Sequence, residues 1–305
     1  MRRVERAVRG TPPRLFLLVA GLLLVGASSV PIRASAAEQA DTETVVAAGD
    51  IGECGRPGAE ATAELLDGLP GTVLALGDEA YDGGTAADFV SCYDPAWGRH
   101  KYRTRPIPGN HEYYGTRDLR GYFEYFGPQA PAEYYSYDLG AWHVVALNSN
   151  CDRVGCGPGS PQERWLRADL AAHPAACTLA YLHHPRFSSG PHGGEPRVGP
   201  LWQALYDAGA AVVLDGHDHL YERFAPQDPA GRVDPVRGIR QFTVGTGGGE
   251  LYRVRAIAPN SEVRSDDTWG VLRLALEPSS YTWEFIPVAG RSFADAGSAT
   301  CPAAS

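Results

Sequence analysis

Along most of the chain, short apolar runs are closed by a glycine or histidine and a knot of polar residues. Residues 44–48 run into Gly49-Asp50-Ile51-Gly52, 72–76 into Gly77-Asp78-Glu79-Ala80-Tyr81, 105–108 into Gly109-Asn110-His111-Glu112, 178–182 into His183-His184-Pro185, and 211–215 into Gly216-His217-Asp218-His219. Runs of this length, bounded by turn formers, predict strands. Helical signals fall between them, at 59–66, at the capping box Thr85-Ala86-Ala87-Asp88, and near 201–207. Ser160-Pro161-Gln162-Glu163 predicts a helix to about residue 171, with a capping serine, proline at the first helical position and glutamate three residues on. A further strand is predicted at 142–147. The pattern then changes: 239–244, 271–276 and 281–286 alternate or are β-rich, with glycine-rich and Pro-Ser-Ser turns between them. The expectation is one α/β domain whose closing third is rich in sheet, with no internal repeat, low-complexity tract or linker dividing it.

The first 36 residues carry a different pattern. Arg2, Arg3, Arg6, Arg9 and Arg14 precede an apolar core at 15–27, shorter than the ~20 residues of a membrane span, and Ala34-Ser35-Ala36 supplies a small-x-small cleavage signal. This predicts a secretion signal at 1–36, exported by the ordinary rather than the twin-arginine route, and an extracellular domain at 37–305 that is free of the membrane. An uncleaved anchor is the alternative. The 305 residues carry a formal net charge of −9, and loss of the leader, with six Arg and one Glu, takes it to −14. So acidic a body repels polyanions, which argues against nucleic acid or an anionic membrane surface as partner. A small phosphate ester can still bind where local cations offset the field.

All six cysteines, Cys54, Cys92, Cys151, Cys156, Cys177 and Cys301, follow the leader. An even number behind a secretion signal reads as up to three disulfides, and no Cys-x-x-Cys pair suggests a metal role instead. Cys151 and Cys156 would close a small local loop. Of the connectivities then open to the other four, Cys54 with Cys92 and Cys177 with Cys301 is the expected one.

Two imidazoles two residues apart, His217 and His219, just past a β-branched run, are poorly explained by packing, and neutral imidazole is a common ligand for Zn, Fe and related ions. Polar residues at the carboxyl ends of adjacent strands in an α/β sheet gather along one rim. Asp50, Asp78, Asn110, His183, His217 and His219 are therefore expected to meet there. Singly, each has an ordinary explanation: Asp beside Gly is a turn or cap residue, Asn110 a turn residue, Tyr81 a packing aromatic, His183 a buried histidine. Their joint occurrence at the ends of strand candidates points to metal. His100, His143 and His173 lie outside the clusters and are expected to be structural.

The five clusters, in this order, resemble the motif blocks of the calcineurin-like metallophosphoesterases, and Tyr81 brings them nearest to the purple acid phosphatase branch. Pro185 and Leu220-Tyr221-Glu222-Arg223 are similar to that branch too; Ala180 stands where the fourth block usually has valine. The resemblance runs from about residue 44 to Arg223, and the remainder looks like the closing sheet of secreted bacterial members. It implies their compact form, a four-layer αββα sandwich of α/β (α+β) class in a single domain, without the extra N-terminal β-domain of the large plant enzymes. It also implies two metal ions, the first held by Asp50, Tyr81 and His219, the second by Asn110, His183 and His217, with Asp78 bridging them. Phenolate is a hard anionic donor suited to Fe(III), so iron is expected at the Tyr81 position; the second set suits Fe(II), Zn or Mn. The implied reaction is hydrolysis of a phosphate monoester by in-line attack of a metal-bound hydroxide. Asn110 and His111 take catalytic roles, His111 contacting the phosphate and protonating the leaving oxygen. His184 and His192 are candidates for phosphate contact, and Glu112, Arg186 and Arg223 for orienting the ligands. A phosphodiesterase or nucleotidase with a Mn or Zn pair, and a metal-binding surface protein that no longer turns over, stay open as alternatives.

Overall fold

The computed structural model describes residues 10–13 and 42–302. The chain divides into two units, 1–39 and 40–305. Of the first only 10–13 are described, without regular structure, and the predicted secretion signal and its cleavage site lie outside the described residues.

The second unit runs β1 (Glu43–Ala48), α1 (Gly58–Gly68), β2 (Thr72–Ala75), α2 (Ala86–Asp88), β3 (Thr104–Pro106), α3 (Arg120–Phe126), β4 (Tyr135–Leu139), β5 (Trp142–Ala146), α4 (Cys151–Val154), α5 (Pro161–Ala172), β6 (Cys177–Tyr181), α6 (Gly199–Asp207), β7 (Val212–Asp215), β8 (Tyr221–Phe224), β9 (Arg240–Val244), β10 (Ser261–Ser265), β11 (Gly270–Glu277), β12 (Ser280–Pro287) and β13 (Ala296–Thr300). One sheet has the order β13-β12-β11-β1-β2-β3, the other β10-β8-β9-β7-β6-β5-β4. Within the first, β1, β2 and β3 are parallel; within the second, β5, β6, β7 and β9 are.

Pleating explains the layers, because successive side chains in a strand point to opposite faces. Val144 and Ala146 of β5 enter the core shared with the first sheet, whereas Val145 and Leu147 turn outward to Leu166 and Leu170 of α5 and Leu201, Trp202 and Leu205 of α6. Leu179 and Tyr181 against Ala180 and Leu182 repeat the division in β6, and Val212 and Leu214 against Val213 repeat it in β7. Ala63 and Leu66 of α1 pack with the first sheet. The result is the mixed α/β sandwich that the resemblance implied.

The closing third is not a sheet of its own. β11 pairs with β1 and carries β12 and β13 with it, while β8, β9 and β10 extend the second sheet. β4, β8, β10 and β13 have no counterpart among the predicted strands. They are edge or near-edge strands; β13, Ala-Gly-Ser-Ala-Thr, has no apolar alternation and is defined by backbone pairing to β12. At α5 the Ser160 side chain accepts from the Glu163 amide as predicted, but the Glu163 carboxylate reaches the Gly159 amide instead of closing the box. The Thr85–Asp88 box is complete, yet its helix is a single turn.

The expected disulfides are all formed: Cys54–Cys92, Cys151–Cys156 and Cys177–Cys301. His143 is buried between Asp138 and Asp169 at 2.8 Å each and stacked on His173, which joins α5 to β5 and brings donor atoms of His143, Asp169 and His173 within 4.8 Å of one another. Among the described residues no helix is long and apolar enough to cross a membrane.

Loop-closure entropy ranks the disulfides. Cys177–Cys301 spans 124 positions and Cys151–Cys156 five, so removing the first pair should cost about 5 kcal/mol and the second about 2. Urea unfolding of the two double-alanine variants checks this; equal losses would contradict it.

Candidate metal centre

β1, β2 and β3 hand the chain to Gly49-Asp50, Gly77-Asp78 and Gly109-Asn110, and β6 and β7 hand it to His183 and Gly216-His217-Asp218-His219. The first three belong to one sheet and the last two to the other. The residues therefore meet between two facing rims, which corrects the expectation of a single rim. Packing of the apolar faces brings both sets of strand ends to one side, and backbone bonds stitch them together: Gly49 N–H donates to Val244 O at 2.9 Å, and Gly249 N–H to Asp50 O at 2.8 Å.

The turns are strained where the donors stand. Five non-glycine residues have positive φ among the described residues, and three of them are Asp50 (60°), Asp78 (49°) and His217 (68°). Such conformations cost on the order of 1–3 kcal/mol each and concentrate at functional sites. Gly109 permits the closest approach, since a Cβ there would lie 2.1 Å from Asp78 Oδ1.

Tyr81 Oη lies 3.1 Å from Asp50 Oδ1, 3.1 Å from His219 Nε2 and 3.3 Å from Asp78 Oδ2, and His219 Nε2 lies 3.2 Å from Asp50 Oδ1. On the other side, His183 Nε2 lies 3.2 Å from the same Asp78 Oδ2 and 3.1 Å from Asn110 Oδ1. Donor atoms of Asp78, His183 and His217 fall within 4.8 Å of one another. Ligands about 2.1 Å from one ion stand ~3 Å apart, so both sets have the spacing of a coordination shell, with Asp78 Oδ2 common to the two.

Each donor is aimed by a second contact. His183 Nδ1 donates to Leu76 O at 2.8 Å and His219 Nδ1 to Glu250 O at 2.6 Å, which turns both Nε2 atoms inward. Asp50 Oδ2 accepts from the His217 amide and Asp78 Oδ1 from the His111 amide. Asn110 Nδ2 donates to Tyr114 Oη, leaving its carbonyl for the cluster. Glu112 holds the turns themselves: its carboxylate accepts from the amides of Asp78, Glu79, Ala80 and Gly109 at 2.8–3.2 Å.

The electrostatics ask for cations. Asp50 and Asp78 are buried, and among the described residues no Lys or Arg pairs with either. Burial alone would raise the Asp78 carboxyl, but the His183 imidazole, with His111, holds it below the ordinary carboxylate range. Burial likewise opposes a charge on His183, and Asp78 overrides it, pushing the imidazole up to about 10. The Tyr81 phenol is driven well above its ordinary value by burial and then by Asp50 and Asp78. His217 is held far below the usual imidazole range by burial and by His183 and His184. Two carboxylates, a phenol, an amide oxygen and three imidazoles, with no lysine or arginine paired to the carboxylates among the described residues, fit a pair of hard or borderline cations.

Asp50, Asp78, Tyr81, Asn110, His183, His217 and His219 are thus brought together. His111 stands beside them, with Nδ1 on Asp82 O at 2.7 Å, Nε2 3.9 Å from Asp78 Oδ2 and its ring 4.3 Å from that of Tyr81. His184 and His192 flank His217 at ring separations of 4.4 and 4.5 Å. Arg186 and Arg223 are elsewhere: Arg186 reaches Pro229 O and lies over the Phe187 ring, and Arg223 pairs with Asp295 and Glu262 and lies over the Trp283 ring of β12. Sequence reasoning missed Tyr252, stacked on His219 at 4.0 Å and 9°, and the Asn148-Ser149-Asn150 run after β5. That run carries the same signal as the five clusters, polar residues closing a strand. The signal for Tyr252 is the Gly247-Gly248-Gly249 stretch just before it, which lets the loop lie on the backbone of Asp50.

The model of the calcineurin-like phosphoesterase family matches residues 43–221, and the chain belongs to that family. Curated relatives include purple acid phosphatase 22 of Arabidopsis thaliana, 36% identical over 121 residues, which cover 38% of this chain and 27% of that protein. The curated matches span only 26–44% of the relatives' own lengths. Among solved structures, purple acid phosphatase PPD1 from yellow lupin (Lupinus luteus) seeds superposes with a TM-score of 0.69 at 20% identity over 87% of this chain and 55% of that one. GAP50, the anchor in the inner membrane complex of Plasmodium, gives 0.68 at 14% identity over 85% and 89%. One fold thus carries both a phosphatase and an anchor, so function is argued from side chains.

Replacing Glu112 by Ala leaves four buried amides without an acceptor. The metal-free variant should lose about 3 kcal/mol or more in urea unfolding; a loss under ~0.5 kcal/mol would show that these bonds do not hold the turns.

Proposed function

We propose that the chain is a secreted phosphatase hydrolysing phosphate monoesters at a two-ion centre, with Fe(III) at the Tyr81 position and Fe(II), Zn or Mn at the other. The observation that carries the reading is the place of Asp78 Oδ2, 3.3 Å from Tyr81 Oη and 3.2 Å from His183 Nε2, where one carboxylate serves both donor sets. Asp50, Tyr81 and His219 would hold the first ion, Asn110, His183 and His217 the second, and Asp78 both. When bound, the pair supplies positive charge to the phosphoryl oxygens and lowers the pKa of coordinated water towards ~7.

The remaining work falls to this chain's own groups. His111 donates from Nδ1 to Asp82 O, so Nε2 faces the donors, where it can hold the proton that the leaving oxygen takes. His184 is pushed down to about 3 by burial and then by His183, and its Nδ1 meets Ser149 Oγ at 2.8 Å. With Nδ1 engaged by Ser149, Nε2 is the ring nitrogen left for a ligand. A monoester dianion presents one more anionic oxygen than a diester, and His184 and His192 beside His217 offer it donors. Secretion is supported by the three disulfides, which use all six cysteines and belong to an oxidising compartment.

Asp78→Ala and Asn110→Ala, assayed metal-replete on 4-nitrophenyl phosphate, should lose about a hundredfold or more in kcat/KM while keeping their circular dichroism spectra. Wild-type turnover in either folded variant would remove that residue from the site. A tyrosinate-to-iron band should colour the wild type and vanish in Tyr81→Phe; a colourless, iron-free, active protein would remove the iron assignment.

A further inference from the structure

A cleft of about 260 Å³ opens beside the proposed second-ion position, lined in part by Asn110 and His217. The disulfide-closed turn α4 contributes Asp152 and Arg153 to the lining, which also includes Tyr114 and Arg197. That volume lies just below the ~300–1,000 Å³ of small-ligand pockets, enough for one compact organic group.

The turn is fixed to the metal-binding backbone. Asn150 Nδ2 donates to Pro108 O and Gly109 O at 3.2 Å each, immediately before Asn110, and Asn150 O accepts from the Arg153 amide at 2.8 Å. The Cys151–Cys156 bond closes the same turn. The backbone of Arg153 therefore stands at a set position relative to Asn110, and its guanidinium lies 5.6 Å from the centre of the Tyr113 ring.

The two arginines of the cleft differ in charge balance. Arg197 is neutralised by Glu195 at 2.8 Å and Asp152 at 2.6 Å. Arg153 makes no ion pair among the described residues, although it is exposed on a chain of net charge −9 rich in carboxylates. An uncompensated guanidinium held next to a phosphate-ester site is a ready partner for a second anion.

We infer that this cleft receives the leaving-group half of the substrate and that Arg153 selects esters whose leaving group is itself anionic, through a carboxylate or a second phosphate. The inference rests on the phosphatase reading. Arg153 is a positioning and specificity residue; it takes no part in bond making.

The test compares kcat/KM of the metal-replete protein on 4-carboxyphenyl phosphate and on ADP, each divided by that on phenyl phosphate, in wild type, Arg153→Ala and Arg153→Lys. The intrinsic reactivity of each probe cancels between variants. Arg153→Ala should lower at least one ratio by about tenfold to a hundredfold, and Arg153→Lys should restore part of it. The ratio that falls identifies the anion as carboxylate or phosphate. Equal loss on all three probes, or ratios unchanged within about twofold, would overturn the inference while leaving the phosphatase intact. Failure of the wild type to cleave phenyl phosphate, ADP and 4-carboxyphenyl phosphate alike would take down the phosphatase reading, and this inference with it.

Discussion

Two buried carboxylates with no lysine or arginine against them among the described residues are the constraint on which this structure turns. A carboxylate taken out of water costs several kcal/mol unless positive charge accompanies it. Around Asp50 and Asp78 the described residues supply only imidazoles, and one of these, His217, resists protonation. The arrangement makes physical sense as a receptor for cations. The same absence of Lys and Arg keeps the donor atoms free and their lone pairs directed at common points.

The fold follows from what such a receptor requires. Donors must come from several directions, and two sheets packed face to face provide that where one sheet provides a line. Asp50, Asp78 and Asn110 arrive from one rim, His183, His217 and His219 from the other, and the shared core of Val45, Leu74, Val144 and Leu214 fixes the rims relative to each other. Local strain is concentrated in the turns at Asp50, Asp78 and His217. It is held by Glu112, whose carboxylate ties the Asp78 turn to the Asn110 turn through four amides, and by cross-sheet backbone bonds at Gly49 and Asp50.

Much of this was legible in the sequence because the central strands are short apolar runs with turn formers at their ends, and each ends in chemistry. β1, β2, β5, β6, β7, β9, β11 and β12 all coincide with predicted runs to within a residue or two. What escaped was set by tertiary contact. β13 has no side-chain pattern and exists because β12 offers it a ladder; β8 hides a buried strand behind Glu222 and Arg223, whose charges are satisfied by Ser189, Asp295 and Glu262. The split of the donors between two sheets was equally invisible, since strand order is written in packing and not in the runs themselves. Arg223 shows the converse error: its place four residues after His219 suggested a ligand-orienting role, but β8 carries it away towards Asp295. Tyr252 lies 33 positions beyond His219 and meets it only because a run of glycines folds back over Asp50.

The central claim is that Asp78 is shared by two cations. The direct measurement is a crystal structure of the metal-replete protein with anomalous scattering at the metal edges. Two ions about 3.5–4 Å apart, both in contact with the Asp78 carboxylate and one of them with Tyr81, is the predicted result. A single ion, or a pair that does not share Asp78, would contradict the account.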